Sequence, residues 1–550
     1  MLQHRALKVG RSVAGPADKP ELENNLQLDG NDGKVQAEMG ALLYRSIISD
    51  QQSRPEKLNA TFERIEEVVN LVAHNADPCI REIVNKAGHL ISHLRAPMDE
   101  ETAKIVVQTL VRCHGQEQII QMAGLLNDSE ISAAEAIELH EEFKIPVSRL
   151  EKDMIPVQGK GPWLRSIDGK EYLDMDSNYS ATNLGYDNPE IALGLYNQAS
   201  RLISVKEDRV HVARARFLKT FRGMLPPELC YFYWQNSGGE AVDKSLKFAK
   251  AFTRTTGVIA FKNGFHGRTH GAVAVTFNPK YRAPFGLDRV DWVHFVDFND
   301  TEAVEKLFAE GKAKIVILEL IQGEEAGIKP ADPEFVLRLR KICNRYNGVM
   351  ICDEVQTGFG RVAEVEGQWF ACQGYNVVPD IVTIGKSFGG GYPVTAVVTR
   401  KEISQAMQPG YDGSTFGGNP MAMVAATIAT RQMRTLNLTK NVVVRSAQIV
   451  CGIRKLRERY PFIGDIRGKG LMIGFDLPSK EWVDRFQRKM FGNGVKTSLS
   501  TGRAVRLLPP LIISEAETDF LLTAMNSAFG AIAQEEKAKE DRLRTSSRHI

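Results

Sequence analysis

The chain has 550 residues, of which 43% are hydrophobic and 25% charged, the composition of an ordinary globular protein with room for more than one domain and a deep active site. A formal net charge of +3 is too small to argue for nucleic acid, and no segment approaches the ~18 apolar residues of a membrane span. The basic start MLQHRALKVGR has no apolar stretch behind it, so a secretory signal is not expected and an organelle-targeting leader is the weaker reading. Seven widely spaced cysteines without a CxxC pair read as free thiols in a reducing cytoplasm.

Residues 1–35 are rich in Gly, Asn, Asp and Pro, lack apolar periodicity and are expected to be flexible. Over 36–145 apolar residues recur at three- and four-residue intervals, as in FERIEEVVNLVAHN and KIVVQTLVRCHGQEQIIQMAGLL, which predicts an N-terminal α-helical region. From about residue 155 short apolar runs (VIAF, VDWVHFVDF, AKIVILELI, GVMICDEV, DIVTIGK, TAVVT) alternate with helical segments such as EAVDKSLKFAKAF. That alternation predicts an α/β, doubly wound sheet covered on both faces. The domain reading is 146–210 as the N-terminal segment of a catalytic unit, 211–438 as its large domain, 439–535 as a smaller α+β domain and 536–550 as a solvated tail.

In open α/β sheets ligands gather at the carboxyl ends of the strands. Three runs bring charged groups there: GVMIC leads into Asp353, DIVTIG into Lys386, and LELIQG into Glu324. On Asp353 and Lys386 alone, a structural ion pair and a catalytic pair are equally open. NSGGEAVDKSLKFAKAF sets Ser237, Gly238 and Gly239 directly before an amphipathic helix, where bare backbone amides form an anion site or simply a capped start.

Several patterns carry no function. GFGRVA (358–363) imitates a dinucleotide fingerprint but is separated from its strand, and GKS (385–387) lacks the first glycine of a P-loop. The i, i+4 pairs His89/His93 and His266/His270 lack a third ligand or are interrupted by Gly267, so no metal is expected.

The motifs together resemble the class III pyridoxal-phosphate aminotransferases of the ornithine, acetylornithine and 4-aminobutyrate type. They are LDMDSNYSATNLGYDNPEI, NSGGEA, GFHGRTHGA, LELIQGEEAG, ICDEVQTGFGR, PDIVTIGKSFGGGYPVTAVVT, GSTFGGNPMA, RGKGLMIGFDL and VRLLPPLIIS, in family order over about residues 155–530. The resemblance implies fold type I, with an aspartate aminotransferase-like large domain and a smaller α+β domain, and transamination between an amino acid or ω-amine and an oxo acid such as 2-oxoglutarate.

It further implies that Lys386 holds pyridoxal phosphate as a Schiff base and moves the proton, while Asp353 keeps the pyridine nitrogen protonated. Val355 and Phe265 would flank the ring, Gln356 would bond its hydroxyl oxygen, and Ser237, Gly238, Gly239 and His266 would complete the cofactor set. Thr415 would reach the phosphate from the second subunit of a homodimer. Arg506 would fork a substrate carboxylate, Glu324 would neutralise that arginine when an ω-amine enters, and Tyr179 and Arg268 would face the substrate.

The chain departs from the family where LEL replaces Glu-Pro, where GYDNP replaces a Gly-His, and in a longer loop at VAEVEGQWF. The 150 N-terminal residues have no counterpart in common members, so a partner or carrier protein docking there stays open, as does an aminomutase, racemase or decarboxylase reaction on the same scaffold.

Overall fold

The computed structural model describes residues 131–498 and 502–546. The expected flexible start 1–35 and most of the helical region 36–145 lie outside them, as do His89, His93, Cys79 and Cys113. The chain divides into two units, Met1–Leu150 with Pro189–Arg201, and Glu151–Asn188 with Leu202–Ile550. In the first, helix Ala133–Phe143 is capped by Ser132, whose Oγ accepts from the Glu135 amide at 3.2 Å, and none of its residues is buried.

The second unit opens with an antiparallel meander, β1 (Pro156–Lys160), β2 (Trp163–Ser166) and β3 (Glu171–Asp174). The large sheet follows: β4 (Tyr231–Gln235), β5 (Val258–Phe261), β6 (Val293–Val296), β7 (Ile315–Leu318), then, after the small β8 (Ile321–Gln322) and β9 (Lys329–Pro330) pair, β10 (Val349–Asp353), β11 (Ile381–Ile384) and β12 (Thr395–Thr399). Its order is β4-β12-β11-β10-β7-β5-β6.

Strands β5, β7, β10 and β11 are buried at every residue, which is why they read as unbroken apolar runs: a parallel sheet covered on both faces has no solvent side for polar residues. Helices Gly238–Thr253 and Pro333–Arg345 supply part of that cover, with Leu246 and Phe248, and Val336 and Leu339, turned into the core.

Strand β12 departs from the parallel pattern. It runs antiparallel to both β11 and β4, because residues 385–394 are too few for the crossover a parallel strand needs. The remaining strands β4, β5, β6, β7, β10 and β11 therefore point the same way and end at one edge.

Toward the C-terminus, β13 (Ile466–Lys469), β14 (Met472–Asp476), the short β15 (Val495–Lys496, which joins β3) and β16 (Ala504–Leu507) complete the strands, with β13-β14-β16 as a three-stranded antiparallel sheet. The last helix, Glu515–Ser546, continues through much of the stretch expected as a tail.

Candidate active site

The common edge of the large sheet collects the charged groups. Strand β10 delivers Asp353 at its last position, and β11 is followed by Gly385 and Lys386. Gly385 is required by crowding, since a Cβ there would lie 2.9 Å from Thr395 Cγ2 and 3.2 Å from Val355 Cγ1. Lys386 takes a left-handed backbone conformation (φ +50°), costing ~1–2 kcal/mol for an L-residue, and turns the chain sharply off the strand. Its ammonium makes no hydrogen bond or ion pair among the described residues. Burial pulls its pKa down, against the opposing charges of Glu324, Asp353 and Glu319.

Asp353 is buried and held by three polar neighbours. Oδ1 accepts from the Thr383 hydroxyl at 2.9 Å and the Val355 amide at 3.2 Å, while Oδ2 faces His266 Nδ1 at 2.8 Å. Thr383 is its register partner on β11, so the sheet itself fixes the carboxylate. The i, i+4 partner His270 instead opens helix His270–Val275.

The glycine-rich start sits beside these groups. Ser237 caps helix Gly238–Thr253 in a capping box with Glu240. A Cβ on Gly238 would come within 3.2 Å of Val355 Cγ1, and one on Gly239 within 2.8 Å of Thr269 Oγ1, so the first amides of the helix stay bare beside Val355. Gln356 lies against Gly323, with Oε1 1.9 Å from where a Cβ would stand.

Arg506 of β16, expected to meet substrate, is almost fully buried, and its Nη1 pairs with Glu324 Oε2 at 2.6 Å. Arg268 stacks over Tyr281 at 3.7 Å from the ring centroid and lies 5.3 Å from that of Phe265. The Tyr281 hydroxyl in turn donates to Glu325 at 2.7 Å.

Tyr179 is exposed and rides on an unusual turn: Ser177, Asn178, Tyr179 and Ser180 all have positive φ, from +45° to +74°. Thr415 and Phe416 are exposed on the 410–418 loop, which packs against the end of β4 where the Tyr233 hydroxyl donates to Asp412 at 3.2 Å.

Two buried groups were missed by sequence reasoning. Glu319 directly follows β7 and accepts from the Phe265 amide at 2.8 Å and the Gly323 amide at 3.2 Å, tying together two loops of the site. Burial pushes its pKa up to about 7, and nearby Asp353 adds to this while His266 offsets part of it. The signal was available, because Glu319 ends an apolar strand just as Asp353 does. Arg361, in GFGR, is fully buried and bonded only to neutral oxygens; desolvation pulls its pKa down to about 9. Nothing in its local sequence announces this.

Comparison with known proteins bears on the same edge. The family model described as aminotransferase class-III matches residues 146–529. The chain belongs to the class-III aminotransferases. Relatives within this family include an acetylornithine aminotransferase of Archaeoglobus fulgidus, 36% identical over 66% of this chain and 92% of that protein. A [LysW]-aminoadipate semialdehyde transaminase of Deinococcus radiodurans is 34% identical over 72% of this chain and 90% of the relative. Among solved structures, an ornithine aminotransferase of Toxoplasma gondii matches at TM-score 0.69 and 26% identity, covering 76% of this chain and 99% of its own.

This class-III aminotransferase therefore has the fold type I architecture and catalyses pyridoxal-phosphate-dependent transamination between an amino donor and an oxo acid. The residues at the sheet edge suit that cofactor: an unpartnered lysine, a fixed buried carboxylate and bare amides at a helix start are the groups its aldehyde, ring nitrogen and phosphate require. Among the described residues no helix is long and apolar enough to cross a membrane.

Proposed function

We propose that this chain transfers the terminal amine of an ω-amino carboxylic acid to a 2-oxoglutarate-like acceptor, with Lys386 as the catalytic amine. Bound pyridoxal phosphate supplies an aldehyde and an electron-withdrawing ring that acidifies the carbon beside the transferred nitrogen. Lys386 Nζ, made less basic by burial, holds the cofactor and passes a proton between neighbouring carbons. Asp353, its position set by Thr383 and the Val355 amide, would face the ring nitrogen. Val355 and Phe265 would flank the ring and Gln356 would meet its hydroxyl, while His266 Nδ1 holds Asp353 Oδ2 at 2.8 Å. The amides of Gly238 and Gly239, aligned by the Ser237 cap, take the phosphate. The exposed Thr415 reaches that phosphate in a second copy of the chain, which makes the working enzyme a homodimer.

The observation that carries the substrate reading is the Arg506–Glu324 pair at 2.6 Å. With Glu324 on it, Arg506 presents no free positive charge, and an ω-amine enters without repulsion. When Glu324 swings away, Arg506 forks the carboxylate of the oxo acid. Tyr179 and Arg268 hold the distal carboxylate of the donor. The names of the archaeal and bacterial relatives, an acetylornithine aminotransferase and a [LysW]-aminoadipate semialdehyde transaminase, support acylated or carrier-linked donors, for the latter of which the N-terminal region would be the dock. Free thiols at Cys230, Cys343, Cys352, Cys372 and Cys451 support a cytoplasmic setting.

The test is a donor-only half-reaction read from the absorbance of the bound cofactor. ω-Amino acids, free and α-N-acylated, are compared with α-amino acids, followed by return with 2-oxoglutarate. Conversion by ω-amines and recovery by the oxo acid are expected. Turnover without any net conversion of the cofactor would point instead to an aminomutase, racemase or decarboxylase. Sedimentation of the holoenzyme, with Thr415→Ala accelerating cofactor loss, checks the dimer.

A further inference from the structure

Arg361 lies at a junction that reaches three site residues through their neighbours. Its Nη1 donates to the carbonyls of Leu471 (3.0 Å) and Pro509, and its Nη2 to Ser177 Oγ (3.2 Å) and Asn183 Oδ1. Each acceptor leads onward. Ser177 Oγ donates to Leu508 O at 2.6 Å, and Leu508 and Pro509 follow Arg506 closely in the chain. Ser177 also begins the left-handed turn that carries Tyr179. Asn183 Nδ2 donates to Ser387 Oγ, which donates to Ser180 O at 2.8 Å and is the next residue after Lys386. The turn at 177–180 is thus clamped at its first residue by Arg361 and at its last by Ser387.

A left-handed turn of four L-residues costs ~1–2 kcal/mol per residue, so it persists only where its surroundings over-determine it. A fully buried guanidinium without a bonded carboxylate is also costly. Four directed hydrogen bonds from one rigid planar head offset that cost and tie together segments that carry site residues.

We propose that Arg361 is a positioning residue that sets Tyr179, Lys386 and Arg506 relative to one another through two coupled branches, one through Asn183 and Ser387 chiefly to the lysine and one through Ser177 chiefly to the substrate side. The inference rests on the assignment of Lys386 and Arg506 given above.

The experiment compares holoenzymes carrying Asn183→Ala, Ser177→Ala and Arg361→Lys, with Lys386→Ala as control. Read out are melting temperature, kcat and KM of each half-reaction, and the pH midpoint of the bound-cofactor absorbance. Asn183→Ala is expected to lower kcat about tenfold and move the absorbance midpoint while KM stays within about twofold. Ser177→Ala is expected to raise KM for carboxylate substrates about tenfold with kcat nearly unchanged, and Arg361→Lys to show both effects.

Variants that change only the melting temperature, or two branch variants with the same kcat-to-KM split, overturn the proposal even if Lys386→Ala is inactive. An active Lys386→Ala enzyme overturns the assignment of the site and this inference with it. Should Arg361→Lys fail to fold, the two branch variants decide alone.

Discussion

Replacing Asp353 by Asn isolates the contribution of one charge. The amide has the same shape: its oxygen still accepts from the Thr383 hydroxyl and Val355 amide, at 2.9 and 3.2 Å in the parent. The side chain should therefore stay in place and the melting temperature change little. What is lost is the negative charge proposed to face the cofactor nitrogen, and the acceptor at Oδ2, where an NH2 now meets His266 Nδ1 and forces the other tautomer. A hydrogen bond to a charged group is worth ~1.5–3 kcal/mol, and at 1.36 kcal/mol per decade its loss in the transition state slows the reaction about ten- to 150-fold. The charge of Asp353 also raises the Lys386 pKa, so the lysine of the cofactor-free variant should titrate at still lower pH. Single-turnover absorbance with saturating donor measures the first effect, and pH-dependent labelling of Lys386 in the cofactor-free protein the second. A donor half-reaction within about threefold of wild type would refute the role given to Asp353.

Lys386→Ala should keep the cofactor non-covalently, dialysable yet absorbing, while the half-reaction falls at least about a thousandfold; near-normal turnover would remove the lysine from the chemistry. Arg506→Ala should raise KM for the oxo acid by roughly tenfold or more, whereas Glu324→Gln should penalise ω-amine donors about tenfold and spare the oxo acid; steady-state kinetics on both half-reactions separate them, and equal effects on both substrates would contradict the shielding model. Glu319→Gln tests the buried carboxyl through pH. Burial moves Glu319 from its ordinary 4.5 to about 7, so the native state holds a proton that the unfolded chain releases, and this stabilisation is present below pH 4.5 and lost as pH rises through 7. Between pH 5 and 8 the cofactor-free variant should gain on wild type by up to roughly 3 kcal/mol in denaturant melts, and a pH-independent difference would show that the carboxyl is not raised.

The chemistry-bearing strand ends were legible because a parallel sheet buried on both faces leaves a plain mark: four or five apolar residues stopped by a charge. Val349–Asp353 and Ile381–Ile384 with the following Gly-Lys carry that mark, and both lie where the pattern puts them. Tyr231–Gln235 was not among the strands read, since its aromatic, partly exposed residues do not form such a run, and the antiparallel return of Thr395–Thr399 follows from connection length rather than composition. The meander at 156–174 escaped notice because two of its three strands expose about half of their residues or more. The AKIVILELI run breaks at Glu319, where the chain leaves the sheet to enclose the site.

The least legible features are those whose cost is local and whose support is distant. Ser177 to Ser180, Phe359 and Lys386 all take positive φ without being glycine, and no propensity predicts it. Phe359 and Gly360 turn GFGR so that Arg361 points inward, and Arg361 then bonds residues 178 and 184 positions away in sequence. Local strain held by one remote cation means that the site residues do not contribute independently. Substitutions at Ser177, Asn183 and Ser387 share a partner network and should depart from additivity by ~0.5–3 kcal/mol in double-mutant cycles, while pairs taken from this network and the distant Asp412–Lys244 ion pair should add. That contrast separates a junction that coordinates the site from a set of unrelated core hydrogen bonds, because only the junction couples groups on separate segments of the chain through a single side chain.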